Sequence, residues 1–460
     1  MLVTGTALAQ QPGRRSPEAC GRVRSLAVAD DGAVLYEYGI PGRGRLGILR
    51  DGKAVDAGTA VFSELASFGG RIAVNGLGGA VFARGAELVE VSGSGDPETV
   101  ISGAKPSPAP TSEAGVDHEA QEAASYRGSR GDGGPMRDGR FGVIRALAAD
   151  EAGLFASEYV GNPYFQSIRV RFLNRSQRPI EFYATTPGAL RVQPGTIQTV
   201  AGVFGRARQA EHIPARTAVL SGAGAVAAQW PLLYIVTWSA LSAGARPGPA
   251  VRAVNLGAQP VQAHGQKIEA GNVVTVAGSG ASGYSGDGGA ALGASFSYLT
   301  GIAADGSGNL FVADRDNNRI RKVDASGIVS TVAGSGPAGP GRGGFNGNDI
   351  PAASARLDGP VDVKVARDAT IYLSDEGNAQ VRRIDASGTI SLAVSPGASS
   401  PKACTPAASA AAPPQRAGLP RAVTVGLGVA LITASAGLAV LSFKNPRPPR
   451  GMGSARGGGC

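Results

Sequence analysis

Two stretches of this chain are variants of one another. IAADGSGNLFVADRDNNRIRKVDASGIVSTVAG, residues 302–334, aligns with VKVARDATIYLSDEGNAQVRRIDASGTISLAV, residues 363–394. Each reads as strand, Asp/Gly turn, strand, polar turn, strand, DASG turn, strand: four antiparallel strands in about 33 residues. No other feature constrains the fold as much. A single four-stranded unit cannot bury both of its faces, so it must stack on copies of itself.

The first hairpin of this unit recurs four more times, as AVADDGAVLYE (27–37), IAVNGLGGAVFAR (72–84), LAADEAGLFASE (147–158) and AVLSGAGAVAAQ (218–229). Each copy precedes a second hairpin, at 44–55, 85–96, 168–183 and 251–265. The third and fourth copies share VRFLNRSQRPI and VRAVNLGAQPV, and both run into a TVAG strand, at 197–202 and 273–278. Six copies predict an all-β, six-bladed propeller over residues 20–396, a ring in which each blade covers its neighbour and most edges are hidden. The 70 glycines, and the lack of any long stripe of helical period, agree with short strands and tight turns.

Residues 286–334, GDGGAALGASFSYLTGIAADGSGNLFVADRDNNRIRKVDASGIVSTVAG, resemble an NHL repeat of bacterial type. In that family a GDGG lead-in, a GIA strand, GNLFVAD and N-RIRKVD-G-I-TVAG mark one blade. The resemblance extends to 347–394. At 131–202 the lead-in GDGGP and the exit IQTVAG fit, while the centre ASEYVGNPYFQSIRVRFLN departs. Before residue 100 only the hairpin pattern remains. The resemblance implies a six-bladed propeller that binds proteins, RNA or sugars.

Composition narrows this choice. The formal charge is +9, and Lys444, Arg447, Arg450 and Arg456 of the C-terminal tail carry four of those charges. No basic block with interleaved aromatics remains, so a nucleic-acid partner is not expected. Ala422 to Phe443 is uncharged and spans about 33 Å as a helix, the length of a single transmembrane segment. The flanking cations place residues 444–460 in the cytoplasm as a basic tail and the propeller outside. ALA-Q at 7–10 fits a signal-peptide cleavage site, so 1–19 reads as a signal remnant or a disordered N-terminus. Residues 101–140 read as an exposed, unstructured insertion, and 397–421 as a Pro/Ala-rich stalk. Cys20 and Cys404 flank the ring and are the candidate disulfide, the alternative being two unrelated thiols.

Motifs that carry chemistry are few. ADRDNNR reads as a turn, with Arg319 and Arg321 on a half-exposed strand edge. GDGG at 131–134 and 286–289 reads as a tight turn more readily than a calcium loop, and RGD at 130–132 as a chance match. His118, His212 and His264 fall at unrelated positions of the repeat and have no metal spacing. No cofactor, metal or catalytic residue is expected. The candidate ligand surface is aromatic: Tyr159 and Tyr164 in YVGNPYFQ, and Trp230, Tyr234 and Trp238 in WPLLYIVTWSALSAG, both read as insertions after the second strand of their blades. The sequence thus reads as a membrane-anchored extracytoplasmic binding scaffold for an unknown protein or cell-surface glycan. The alternative is an exported propeller enzyme of lactonase or lyase type, which should gather histidines and carboxylates at one end of the channel.

Overall fold

The computed structural model describes residues 22–40, 43–56, 72–74, 80–84, 87–91, 97–101, 132–150, 153–160, 167–205, 210–222, 224–239 and 248–395. Blade 1 is Arg22–Val28, Val34–Ile40, Arg43–Arg50 and Lys53–Asp56. Blade 2 is Ile72–Val74, Ala80–Arg84, Glu87–Val91 and Pro97–Ile101. Blade 3 is Val143–Ala149, Leu154–Val160, Ser167–Leu173 and Ile197–Ala201, and blade 4 is Val226–Gln229, Leu232–Ser239, Gly248–Asn255 and Asn272–Ala277. Blade 5 is Leu299–Ala304, Leu310–Asp314, Arg319–Val323 and Val329–Ala333, and blade 6 is Pro360–Val365, Ile371–Asp375, Gln380–Ile384 and Thr389–Val394. Every blade is an antiparallel meander whose first strand lies innermost.

The apolar side chains sort into six clusters, and each cluster straddles one pair of neighbouring blades. The core therefore lies between blades rather than around the axis. Val312 and Leu310 of blade 5, for example, pack against Val236 and Val251 of blade 4. Val23 and Leu26 of blade 1 pack on Val381 and Val394 of blade 6, which closes the ring. Among the described strands none is exchanged between the first and last blades. The seam is joined instead by side chains, with Arg24 Nε donating to Glu376 Oε1 at 3.0 Å and the Leu26 N–H to Asp362 Oδ2 at 2.9 Å.

The structure moves one boundary. AVLSGAGAVAAQ is not the first hairpin of blade 4: Val226–Gln229 is the inner strand, and Leu232–Ser239 is the second strand rather than an insertion. Gly222 and Gly224 lie in the loop that leads to the inner strand, both at positive φ. Blades 3 and 4 do carry an addition, but between the third and fourth strands: the hairpins Ile180–Phe182 with Leu190–Val192, and Val261–Ala263 with Gln266–Ile268. The shared asparagine of VRFLN and VRAVN anchors them. Asn174 Nδ2 donates to the carbonyls of Arg178 and Val192, and Asn255 Nδ2 to those of Gln259 and Ile268. Residues 132–140, expected in an unstructured insertion, carry the lead-in of blade 3, where Pro135 bridges Thr196.

A second correction concerns the arginines of the third strands. Arg321 is fully buried rather than half exposed, as are Arg171, Arg252 and Arg382 at the same position of blades 3, 4 and 6. The lead-in covers them. Asp287 of GDGG accepts both Nε and Nη2 of Arg321 at 3.1 and 2.7 Å, and Asp132 accepts the same pair from Arg171 at 3.1 and 2.9 Å. The motif that resembled a calcium loop is thus the acidic half of an ion pair, which permits the guanidinium to be buried.

Candidate functional site

The channel has two different ends. At the end where the inner strands finish, all six blades contribute small aliphatic residues, Val28, Val74, Ala149, Ala228, Ala304 and Val365 among them, to a cavity of about 310 Å³. Asp30, Asp150, Lys364 and Arg367 stand at its rim. At the end where the inner strands begin, four blades share an irregularity. The register of the inner hairpin slips between Val23 and Ser25, between Ile144 and Ala146 opposite Glu158 and Ser157, between Leu299 and Gly301, and between Pro360 and Asp362. The extra residues are Arg24, Arg145, Thr300 and Val361, and a bulge of this kind re-aims its side chain.

The second strands deliver the other half of this mouth. Register against the third strands makes Tyr159, Trp238, Arg315 and Glu376 equivalent residues of blades 3, 4, 5 and 6. Three of them reach the next blade. The Tyr159 hydroxyl donates to the Gly222 carbonyl at 2.7 Å, Arg315 Nη2 to Glu376 Oε2 at 3.3 Å, and Glu376 receives Arg24 from blade 1. Trp238 stays open, with 43% of its surface exposed. Arg145 lies over the Tyr159 ring at 4.4 Å, and Arg315 is 5.8 Å from the centroid of the Tyr298 ring. Burial raises the phenol pKa of both tyrosines against the pull of these arginines, so at neutral pH they are hydrogen-bond donors rather than bases.

Below the mouth, Asp314 and Asp375 are pushed up to about 6 by burial. A perturbed carboxyl can mark a catalytic acid. Here each is enclosed and fully engaged: Asp314 accepts the Ser297 N–H at 2.7 Å, Asn317 Nδ2 at 3.0 and 2.9 Å, and Arg321 Nη1 at 3.4 Å. Asp375 repeats this with Asp358, Asn378 and Arg382. The run ADRDNNR is therefore a structural turn, with Asn318 in the left-handed conformation at φ 56°.

The expected aromatic surface separates. Tyr159 and Trp238 share the mouth. Trp230 is 48% exposed but sits in the turn between the first and second strands of blade 4, at the opposite end, where its ring lies 5.9 Å from that of Phe182. Tyr234 is in mid-strand, only 1% exposed, with its hydroxyl 3.1 Å from His264 Nε2. His264 joins blade 4 to blade 5 through Asp324 and is not at the mouth; nor is His212, in the lead-in of blade 4. Tyr164, Cys20, Cys404 and His118 lie outside the described residues. Among the described residues no cluster of three or more His, Cys, Asp or Glu could hold a metal ion, and no helix is long and apolar enough to cross a membrane; 422–443 lies outside them. Arg24, Arg145, Tyr298, Arg315 and Glu376 escaped sequence reasoning. The signal for two of them was present, since Arg315 and Glu376 each follow the Asp that ends the second strand in the two best copies.

Residues 262–339 match the family model of the teneurin NHL domain. Teneurin-4 of Homo sapiens is 35% identical over 103 residues, which cover 20% of this chain and 4% of that protein, and teneurin-4 of Mus musculus gives the same figures. The chain thus spans a small fraction of the length of the curated relatives it matches. Among solved structures, a gluconolactonase from Xanthomonas campestris aligns with a TM-score of 0.42 at 10% identity, covering 82% of this chain and 87% of the other. A streptogramin B lyase aligns with a TM-score of 0.38 at 13% identity, covering 83% and 84%. Neither likeness bears on activity.

Proposed function

Because this chain is a six-bladed propeller that carries NHL repeats, we propose that it is a binding scaffold whose partner docks on the mouth around Trp238. The observation that carries this reading is the contrast among four equivalent residues. Tyr159, Arg315 and Glu376 are spent on the neighbouring blade, while Trp238 offers a large ring to solvent beside them. An exposed indole near a hydrogen-bonding phenol, Tyr159 on the Gly222 carbonyl, has the make-up of a recognition hot spot. The partner is a protein or a cell-surface glycan, either of which would cover the ring and meet the surrounding arginines and phenols. The carboxylates Glu158 and Glu376 at this end are held by Arg169 and by Arg24 and Arg315, which suits positioning rather than proton transfer.

The same proposal keeps the propeller outside the cell on a single span at 422–443, with 397–421 as its stalk, 444–460 inside, and Cys20 bonded to Cys404. Protease treatment of intact cells should release the propeller and spare the tail. For the site itself, Trp238→Ala should abolish capture of the partner from a native membrane extract and from a glycan array, at an unchanged melting temperature. Undiminished capture by that variant would move the surface elsewhere. Turnover of lactones or streptogramin-type esters by the purified chain would favour the enzymatic alternative.

A further inference from the structure

Blade 4 departs from blades 3, 5 and 6 at one position. In those blades the second strand places a carboxylate, Glu158, Asp314 or Asp375, where it accepts a backbone N–H from the segment before the inner strand, of Gly142, Ser297 and Asp358 respectively. In blades 5 and 6 the same carboxylate also faces Nη1 of the buried third-strand arginine at 3.4 Å. Register puts Thr237 in this position in blade 4, standing to Arg252 as Asp314 stands to Arg321.

The consequence is a set of donors that no acceptor among the described residues meets. Arg252 is fully buried; its Nη2 reaches Glu211 Oε1 at 3.3 Å and the Ala210 carbonyl, while Nε and Nη1 have no partner among the described residues. The Thr237 hydroxyl is likewise buried without one. Glu211 meets neither Nε nor Nη1: it takes only Nη2 of Arg252, along with the Thr275 N–H at 2.7 Å and hydroxyl at 2.9 Å. In blade 6 the contrast is complete: Arg382 spends Nε on Asn348, Nη1 on Arg356 and Asp375, and Nη2 on Gly347.

We propose that blade 4 binds a small monovalent anion of halide size between Arg252 and Thr237, in the position of the missing carboxylate. The chemistry selects that class. In blades 5 and 6 the carboxylate meets Nη1, so this position in blade 4 offers Nη1 and a hydroxyl able to donate, and an anion answers the guanidinium charge there as a neutral water does not. The charge is right as well: among the described residues Arg252 is paired with Glu211 alone, whereas Arg321 meets both Asp287 and Asp314, and one negative charge at this point restores the arrangement of blade 5. Burial lowers the proton affinity of Arg252, which an adjacent anion would oppose.

The experiment follows thermal unfolding of the full chain at fixed ionic strength, with chloride or bromide replacing gluconate, a much bulkier anion. Expected is a rise in melting temperature that saturates with halide. In Thr237→Asp, which supplies the carboxylate within the chain, the rise should vanish and the melting temperature in gluconate should reach that of the halide-bound parent. Crystals soaked in bromide should show an anomalous peak beside Arg252. Equal melting in halide and gluconate, a halide effect that survives in Thr237→Asp, or crystals with no bromide peak at Arg252 would each overturn the proposal.

Discussion

Asp362 Oδ2 accepts the backbone N–H of Leu26 at 2.9 Å, tying the inner strand of blade 6 to that of blade 1. Both residues are fully buried, and the other oxygen of Asp362 holds Lys364 Nζ at 2.7 Å. This bond crosses the only place where the chain must find its own beginning. Asp362→Ala strands a buried N–H and a lysine, and should cost about 3 kcal/mol. Asp362→Asn keeps an acceptor and should recover part of that loss. Urea unfolding of the three proteins checks it; a loss under about 0.5 kcal/mol in the alanine variant would mean that apolar packing alone closes the ring.

The GDGG motif makes a second prediction. Asp287 holds Arg321 and also accepts the hydroxyls of Tyr284 and Thr331 at 2.9 and 2.7 Å. Its carboxyl sits below the usual range because these bonds and the guanidinium outweigh burial, although desolvation is the largest single influence. Asp287→Ala should lower stability by about 2–3 kcal/mol, since Arg321 stays buried with fewer acceptors. Chelators and added calcium should leave the melting temperature unmoved, as no carboxylate oxygen is spare.

A third prediction concerns acid. The Asp324 carbonyl can only accept, so His264 carries its proton on Nδ1 and takes the Tyr234 hydroxyl on Nε2. Burial lowers the His264 pKa below its ordinary value, so the unfolded chain binds the proton first. This contribution to stability is present above about pH 6.5 and is lost as pH falls from there through the lowered folded value. His264→Asn tolerates the left-handed backbone at φ 50° and should remove that dependence at a cost of about 1–2 kcal/mol. Melting curves of both proteins from pH 7.5 to 5 decide it; parallel profiles would sink the assignment.

The aromatic residues of blade 4 should part company on substitution. Tyr234→Ala empties a site at the interface between blades 4 and 5 and should cost about 3–5 kcal/mol. Trp238→Ala should change stability by less than about 0.5 kcal/mol, as surface changes usually do. Calorimetry of the two variants separates core from surface before any partner is known.

The ring was legible because a repeat of four strands leaves a chain few other ways to bury its faces. Residues 302–334 and 363–394 fixed the pattern, and even the weak first hairpins at 27–37 and 72–84 fell into place. Blade 4 was displaced by a strand because SGAG carries the glycines of a turn, while the real turn, around Trp230 and Pro231, has none. Glycine marks a loop without saying which loop it is. The third-strand arginines were misplaced for a related reason. Alternation reports which face a side chain takes, but not that a segment more than thirty residues upstream, such as Asp287 for Arg321, will fold over that face. Of the mouth, Tyr159 and Trp238 could be seen as aromatics, but their equivalence with Arg315 and Glu376 needed the corrected register.

Each described blade draws its strands from one continuous segment, and among the described residues no strand ladder joins the last sheet to the first. Under mechanical load this makes the molecule a clasped bracelet rather than a welded hoop. Tension across the seam loads the Leu26–Asp362 and Arg24–Glu376 bonds together with the packing of Val23 and Leu26 on Val381 and Val394. Parting that seam would lay bare one apolar interface, Val23 and Leu26 against Val381 and Val394, and leave the ladders of every described blade intact.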